Sequence, residues 1–169
     1  MADKTLLIMR HAKSSWSTGA PDFERPLSDR GRRDSTVAGR LLAGRGVRPD
    51  LVLCSAAART RQTWQRVAAQ GVEAKLVEFR PSIYHADPID LILELSVLPE
   101  AAKTVLVFGH EPTMSDLVAH LVRTDPRQLL PDIFNKFPTS AIATLELDVP
   151  WARIRPPAAT LVSFDIPRG

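Results

Sequence analysis

Apolar residues in this chain fall into two kinds of run. Residues 5–9, 51–54 and 104–109 are short, unbroken and bounded by turn-forming or charged residues, the pattern of strands buried on both faces. A further strand is predicted over 72–79, and two more over 141–147 and 159–164. The segment from Trp151 to Pro157 is short enough to join the last two as an antiparallel pair at a sheet edge. Between the strands the spacing changes to three and four. Ser28 reads as an N-cap, followed by Val37, Ala38, Leu41 and Leu42 on one helical face up to Gly44 or Gly46. A second helix runs from Ala56 through Thr60, Trp64 and Val67 to Gly71. Ile89, Leu91, Ile92, Leu93, Leu95 and Leu98 form a third, apolar enough to predict nearly complete burial. A fourth places Pro112 in its first turn and continues through Leu117, Val118 and Leu121. Residues 12–27, 80–88 and 124–138 carry the prolines and glycines of connecting loops.

The β-α-β-α order predicts an α/β fold: a three-layer α/β/α sandwich with a mostly parallel central sheet and an antiparallel edge near the C-terminus. Its length, residues 1–169, suits a single domain. Ligands in such folds bind at the C-terminal edge of the parallel strands. Five polar residues are predicted there: Arg10 and His11 after the first strand, Ser55 and Arg59 after the second, and His110 after 104–109. Two arginine forks suit the spread oxygens of a phosphoryl group. One histidine can then attack phosphorus while the other donates a hydrogen bond to a phosphoryl oxygen. Neighbouring arginines favour a neutral imidazole by like-charge repulsion, and a backbone carbonyl is expected to tether one ring nitrogen of His11.

Composition narrows the field. Twenty-two basic residues against nineteen acidic ones give a net charge of +3, scattered rather than striped, so no nucleic-acid partner is expected. Arg30, Arg32, Arg33 and Arg40 read as a solvated helix face. No apolar run approaches a membrane span, and Met1-Ala2-Asp3-Lys4 lacks the form of a signal peptide. The lone Cys54 excludes an internal disulfide and suits a reducing, cytoplasmic setting. Only four residues separate Cys54 from Arg59, one short of a Cys-x5-Arg phosphatase loop. His110-Glu111 continues as Pro112-Thr113-Met114, so no His-Glu-x-x-His metal motif forms. No metal or cofactor is expected, and activity should survive a chelator.

Three segments carry a resemblance. Leu7-Ile8-Met9-Arg10-His11-Ala12 resembles the Arg-His-Gly signature of the histidine phosphatase (phosphoglycerate mutase-like) superfamily. Ser55, Arg59 and Thr63 are similar to its Ser-x-x-x-Arg-x-x-x-Thr segment, and Gly109-His110-Glu111-Pro112 to its Gly-His-x-Pro. Pro138-Thr139-Ser140-Ala141 and the following strand resemble its C-terminal segment. The similarity is greatest to the short SixA-type phosphohistidine phosphatases, which lack long helical insertions; Arg25-Pro26-Leu27-Ser28 followed by Gly31 is also like that branch.

The resemblance implies a phosphorylated nucleophile at His11 and a phosphate pocket completed by Arg10, Arg59 and His110. Ser14 is implied as a contact to phosphate or substrate. Ala12 departs from the usual glycine, and Lys13 and Ser17 stand where mutase-like members often carry Glu and Asn. The motifs do not place a general acid: Glu78, near the end of the third strand, is the first candidate and Asp87 the second. A phosphoramidate needs such an acid less than a phosphoester does, so protein phosphohistidine is the expected substrate. The alternatives are a small phosphoester or phosphoanhydride metabolite on the same pocket, or a non-catalytic phospho-binding module. Around the mouth, Trp16 is open to either packing or substrate stacking, His85 is expected at the surface, and His120 is expected to be structural or solvent-facing.

Overall fold

In the computed structural model, which describes residues 2–169, strand β1 (Lys4–Arg10) runs through the interior of the sheet. On one side it pairs in parallel with β4 (Thr104–Gly109), followed by β2 (Leu51–Ser55) and β3 (Leu76–Arg80), all parallel. On the other it pairs antiparallel with β6 (Ile142–Leu147), which pairs antiparallel with β7 (Ala159–Asp165). A three-residue strand, β5 (Val122–Thr124), lies parallel to β7 and completes the order β3-β2-β4-β1-β6-β7-β5.

Alternate side chains of the inner strands meet two separate apolar layers, which explains why their sequences read as unbroken runs. Leu7, Met9, Val52, Cys54, Leu106 and Phe108 face helices α1 (Asp29–Gly44) and α2 (Ala58–Ala68), packing with Ala38, Leu42, Trp64 and Val67. Leu6, Ile8, Leu53, Val105 and Val107 face α4 (Pro88–Ser96) and α5 (Thr113–Leu121), packing with Leu91, Leu95, Leu117 and Leu121. The Ser28 hydroxyl caps α1 by accepting the Gly31 N–H. A Cβ on Gly31 would lie 2.0 Å from the Lys13 carbonyl oxygen. The start of α1 is thus pressed against the loop that follows β1.

Several boundaries depart from the sequence expectations. The third strand begins at Leu76 rather than 72, because the chain turns at Gly71 with φ +98° and leaves Val72 buried outside the sheet. Helix α4 buries Leu91, Ile92 and Leu95, but Ile89 and Leu93 are exposed, since only one face of the helix meets the core. The loop over 12–27 includes a 3-10 turn, Asp22–Glu24, and the loop over 80–88 includes the helical turn α3 (Pro81–Tyr84). The proline-rich connection holds β5 at its start and α6 (Leu130–Asn135), whose Pro131 occupies the first turn, where a missing N–H costs no helical hydrogen bond. Among the described residues, no helix is long and apolar enough to cross a membrane.

Candidate active site

Parallel register aligns Arg10 with Gly109 and Cys54 with Phe108, so β1, β2 and β4 end together. The residues that follow leave the sheet at one rim. His11 is held on three sides: its N–H donates to the Gly109 carbonyl at 3.1 Å, its carbonyl accepts the Ser140 N–H at 3.0 Å, and the adjoining Ala12 N–H donates to Thr63 Oγ1 at 3.0 Å. The ring is fixed as well. Its Nδ1 lies 2.7 Å from the Ala12 carbonyl oxygen, which can only accept, so Nδ1 carries the proton and Nε2 keeps its lone pair. That is the tether expected from the sequence.

His110 faces it with ring centroids 5.3 Å apart. The Ser55 hydroxyl accepts the Ala57 N–H and lies 2.8 Å from His110 Nε2, so it can donate to that nitrogen and leave the other proton on Nδ1. Arg59, in the first turn of α2, is held at its tip by Asp22: Nη1 donates to the backbone carbonyl at 2.7 Å and Nη2 to Oδ2 at 3.1 Å. Arg10 Nη1 donates to the Phe137 carbonyl at 3.1 Å. The Nε atoms of both arginines, and His110 Nδ1, are buried with no hydrogen-bond partner among the described residues. Orphaned buried donors are costly, and here three of them belong to the residues around one unprotonated nitrogen. The group they suit is an anion with several acceptor oxygens.

Burial is the largest cause pushing His11 down to about 3; the Ala12 carbonyl opposes it, while His110, Arg59 and Arg10 add to it. Like-charge repulsion, expected from sequence as the cause, is therefore secondary to desolvation. His110 is likewise pushed down to about 3 by burial, then by Arg59, with Asp22 opposing. Both rings are neutral near pH 7.

The sequence reading missed Asp22. Its carboxylate accepts from Arg59, from Arg25 Nε at 3.1 Å, and from the Tyr84 hydroxyl. The Tyr84 hydrogen bond, followed by Arg25 and Arg59, outweighs desolvation and holds it well below the usual carboxylate range. Asp22 sits in a short turn 37 positions from Arg59, with no motif or periodicity to mark it. Tyr84 belongs to α3, and only the contact itself reveals its part.

The remaining candidates separate. Ser14 is buried, but its hydroxyl accepts from Arg25 Nη1 at 2.7 Å and so supports the rim. Glu78 does not join the cluster: its carboxylate is taken by Arg80, two residues along β3, at 3.1 Å. Asp87 caps α4 in a capping box with Asp90. His85 is exposed and stacks near Tyr84, and exposed His120 bonds the Asp116 carbonyl on its own helix.

The sequence profile of the histidine phosphatase superfamily (branch 1) matches residues 6–79. An uncharacterized protein of Mycobacterium tuberculosis (strain H37Rv) is 40% identical over 163 residues, covering 95% of this chain and all of that one. Phosphohistidine phosphatase SixA of Escherichia coli (strain K12) is 30% identical over 145 residues, 85% of each chain. This chain belongs to the histidine phosphatase superfamily.

Solved histidine phosphatases have the same fold. A putative phosphohistidine phosphatase SixA from Nakamurella multipartitia superposes with a TM-score of 0.84 at 35% identity, covering 97% of this chain and 96% of that one. The protein histidine phosphatase SixA solved with tungstate gives a TM-score of 0.79 at 29% identity, covering 96% and 97%. The expected α/β architecture, with its parallel centre and antiparallel strands near the C-terminus, is the histidine phosphatase fold.

Proposed function

We propose that this histidine phosphatase hydrolyses protein phosphohistidine through a phosphoryl group carried transiently on His11. In the first step His11 Nε2 bonds to phosphorus and the substrate N–P bond breaks. Its electron pair returns to the departing imidazole, which leaves neutral when its second nitrogen is protonated. In the second step a water oxygen bonds to phosphorus, the His11–phosphorus pair returns to Nε2, and phosphate departs with the hydrogens of that water. The buried Nε–H groups of Arg10 and Arg59 and Nδ1–H of His110 would bind the phosphoryl oxygens in both transfers.

The observation that carries the reading is the tether of His11 Nδ1 to Ala12, which fixes the tautomer a nucleophile needs. The preference for N–P over O–P cleavage is supported by the carboxylates nearby. An alcohol leaving group benefits from a positioned acid. Asp22, which touches Arg59, is held ionised, and both oxygens of Glu111 are taken by the Ser115 N–H and hydroxyl at 2.7 Å.

The test is a rapid quench with a phosphohistidine-bearing protein, followed by mapping of the transferred phosphoryl group. Label on His11, absent in His11→Ala, is the expected result, together with faster turnover of the phosphohistidine protein than of a phosphoserine peptide. Label elsewhere, or the reverse preference, overturns the reading.

A further inference from the structure

Trp16 leaves 75% of its surface open to solvent, yet it is not a free side chain. One face of its ring lies on the Arg25 guanidinium, whose central carbon is 3.5 Å from the ring centroid. Arg25 is itself buried, bonded through Nη1 to Ser14 Oγ at 2.7 Å and to the Ser15 carbonyl at 3.3 Å. Its Nε reaches Asp22, and Asp22 holds the tip of Arg59. The indole is therefore a flat plate seated on a bonded base, linked by two ion pairs to a pocket arginine. With one face on Arg25 and 75% of the residue exposed, the outer face is open among the described residues.

The far side of Asp22 is also lined by rings. Tyr84 bonds the same carboxylate, with its ring 5.4 Å from His110, 4.2 Å from His85 and 4.9 Å from Phe23. Trp16, through Arg25 on Oδ1, and Tyr84, directly on Oδ2, are thus both tied to the carboxylate that holds Arg59. Tyr84 is bonded to Asp22 and so helps hold Arg59, but the open face of Trp16 holds neither the nucleophile nor the oxyanion donors. A planar leaving group can use that face, because offset or edge-on ring contacts add to what area burial alone provides.

We propose that Trp16 is a specificity-determining residue whose free face receives the planar ring of the leaving group while its phosphoryl group lies among Arg10, His11, Arg59 and His110. The inference rests on the phosphatase reading above and extends it from the phosphoryl group to the leaving group. Substrates with an imidazole or aryl leaving group gain this contact; those with an alkyl oxygen at phosphorus do not. Because the indole is mostly exposed and Arg25 keeps its other bonds, removal of Trp16 leaves the pocket standing.

The experiment compares wild type, Trp16→Ala and Trp16→Phe on a phosphohistidine peptide, p-nitrophenyl phosphate and a phosphoserine peptide, with vanadate affinity measured alongside. For the two ring-bearing substrates, Trp16→Ala is expected to raise KM about three- to tenfold, the range such ring pairs contribute, with kcat much less affected. Trp16→Phe should restore most of the loss. KM for the phosphoserine peptide and vanadate affinity should stay near wild type. An equal change on all three substrates, no change on any, or a matching loss of vanadate affinity overturns the role of Trp16. If wild type prefers the phosphoserine peptide while Trp16→Ala still raises KM only for the two ring-bearing substrates, the phosphohistidine reading falls and the ring contact stands. Failure of wild type to turn over any of the three overturns both.

Discussion

His11 and His110 are two imidazoles that the fold keeps uncharged. In the unfolded chain each takes up a proton near its ordinary value of 6.5, whereas in the folded protein each does so only at about 3. Across that window the unfolded state binds more protons, so stability falls as pH is lowered from about 6.5 towards 3 and is regained as pH rises. Melting curves from about pH 7 to about pH 4 should show a falling midpoint, with a shallower slope in His110→Gln. An unchanged slope in that variant would mean that the His110 ring is solvated. Asp22 acts in the same direction at lower pH, because its depressed carboxylate loses its partners on protonation. The placement of His11 and His110 at one rim was legible in sequence because each stands at the end of an unbroken apolar run. Asp22 was not: its role depends on Arg25, Arg59 and Tyr84 meeting it in three dimensions.

The order of burial against charge was equally hidden. A sequence shows that Arg10 adjoins His11, but not that His11 is only 6% exposed.

Among elements, the start of α1 has a mechanical part in the site. Ser28 accepts from Gly31 and also bonds the Lys13 carbonyl, by its N–H at 2.9 Å and its hydroxyl at 3.1 Å. Since a Cβ on Gly31 would fall 2.0 Å from that same carbonyl oxygen, Gly31→Ala must push the helix and the 12–15 loop apart. The displaced atoms are backbone and cannot swing aside. Gly31→Ala is expected to lower the melting temperature and reduce kcat/KM about tenfold or more, since small misplacements of catalytic groups are costly, while Gly44→Ala, with open space around its Cβ, should change neither appreciably. Equal behaviour of the two variants would contradict the close approach. The long elements were readable from sequence because period and caps agree, as at Ser28 and α1. The short ones, α3, β5 and α6, are too brief to show a period and are fixed by tertiary contacts.

At the scale of the whole molecule, one edge of a seven-stranded sheet gathers residues from β1, from β2 and α2, and from the end of β4. In the proposed mechanism the positive charge facing the phosphoryl group comes from Arg10 and Arg59, already fixed by Phe137 and Asp22. Turnover measured after exhaustive treatment with a chelator is therefore expected to match the untreated rate; a loss restored by a divalent cation would show that the guanidiniums are insufficient. The parallel order was legible because strand and helix patterns alternate up to residue 122, and the antiparallel β6–β7 pair because its connection is short. The true edge strand beyond it, β5, is a three-residue continuation of the chain leaving α5 and carries no pattern of its own.

The backbone of His11 is bonded to Gly109 on its parallel side and to Ser140 on its antiparallel side. Its peptide is thus stitched into both halves of the sheet, at the seam where strand direction changes. Such a group cannot advance towards its target without opening the centre of the fold, the most costly place to open. In the proposed mechanism the nucleophile is therefore a stationary anvil, and the travel required by phosphoryl transfer falls to phosphorus and to whatever the rim lets in and out.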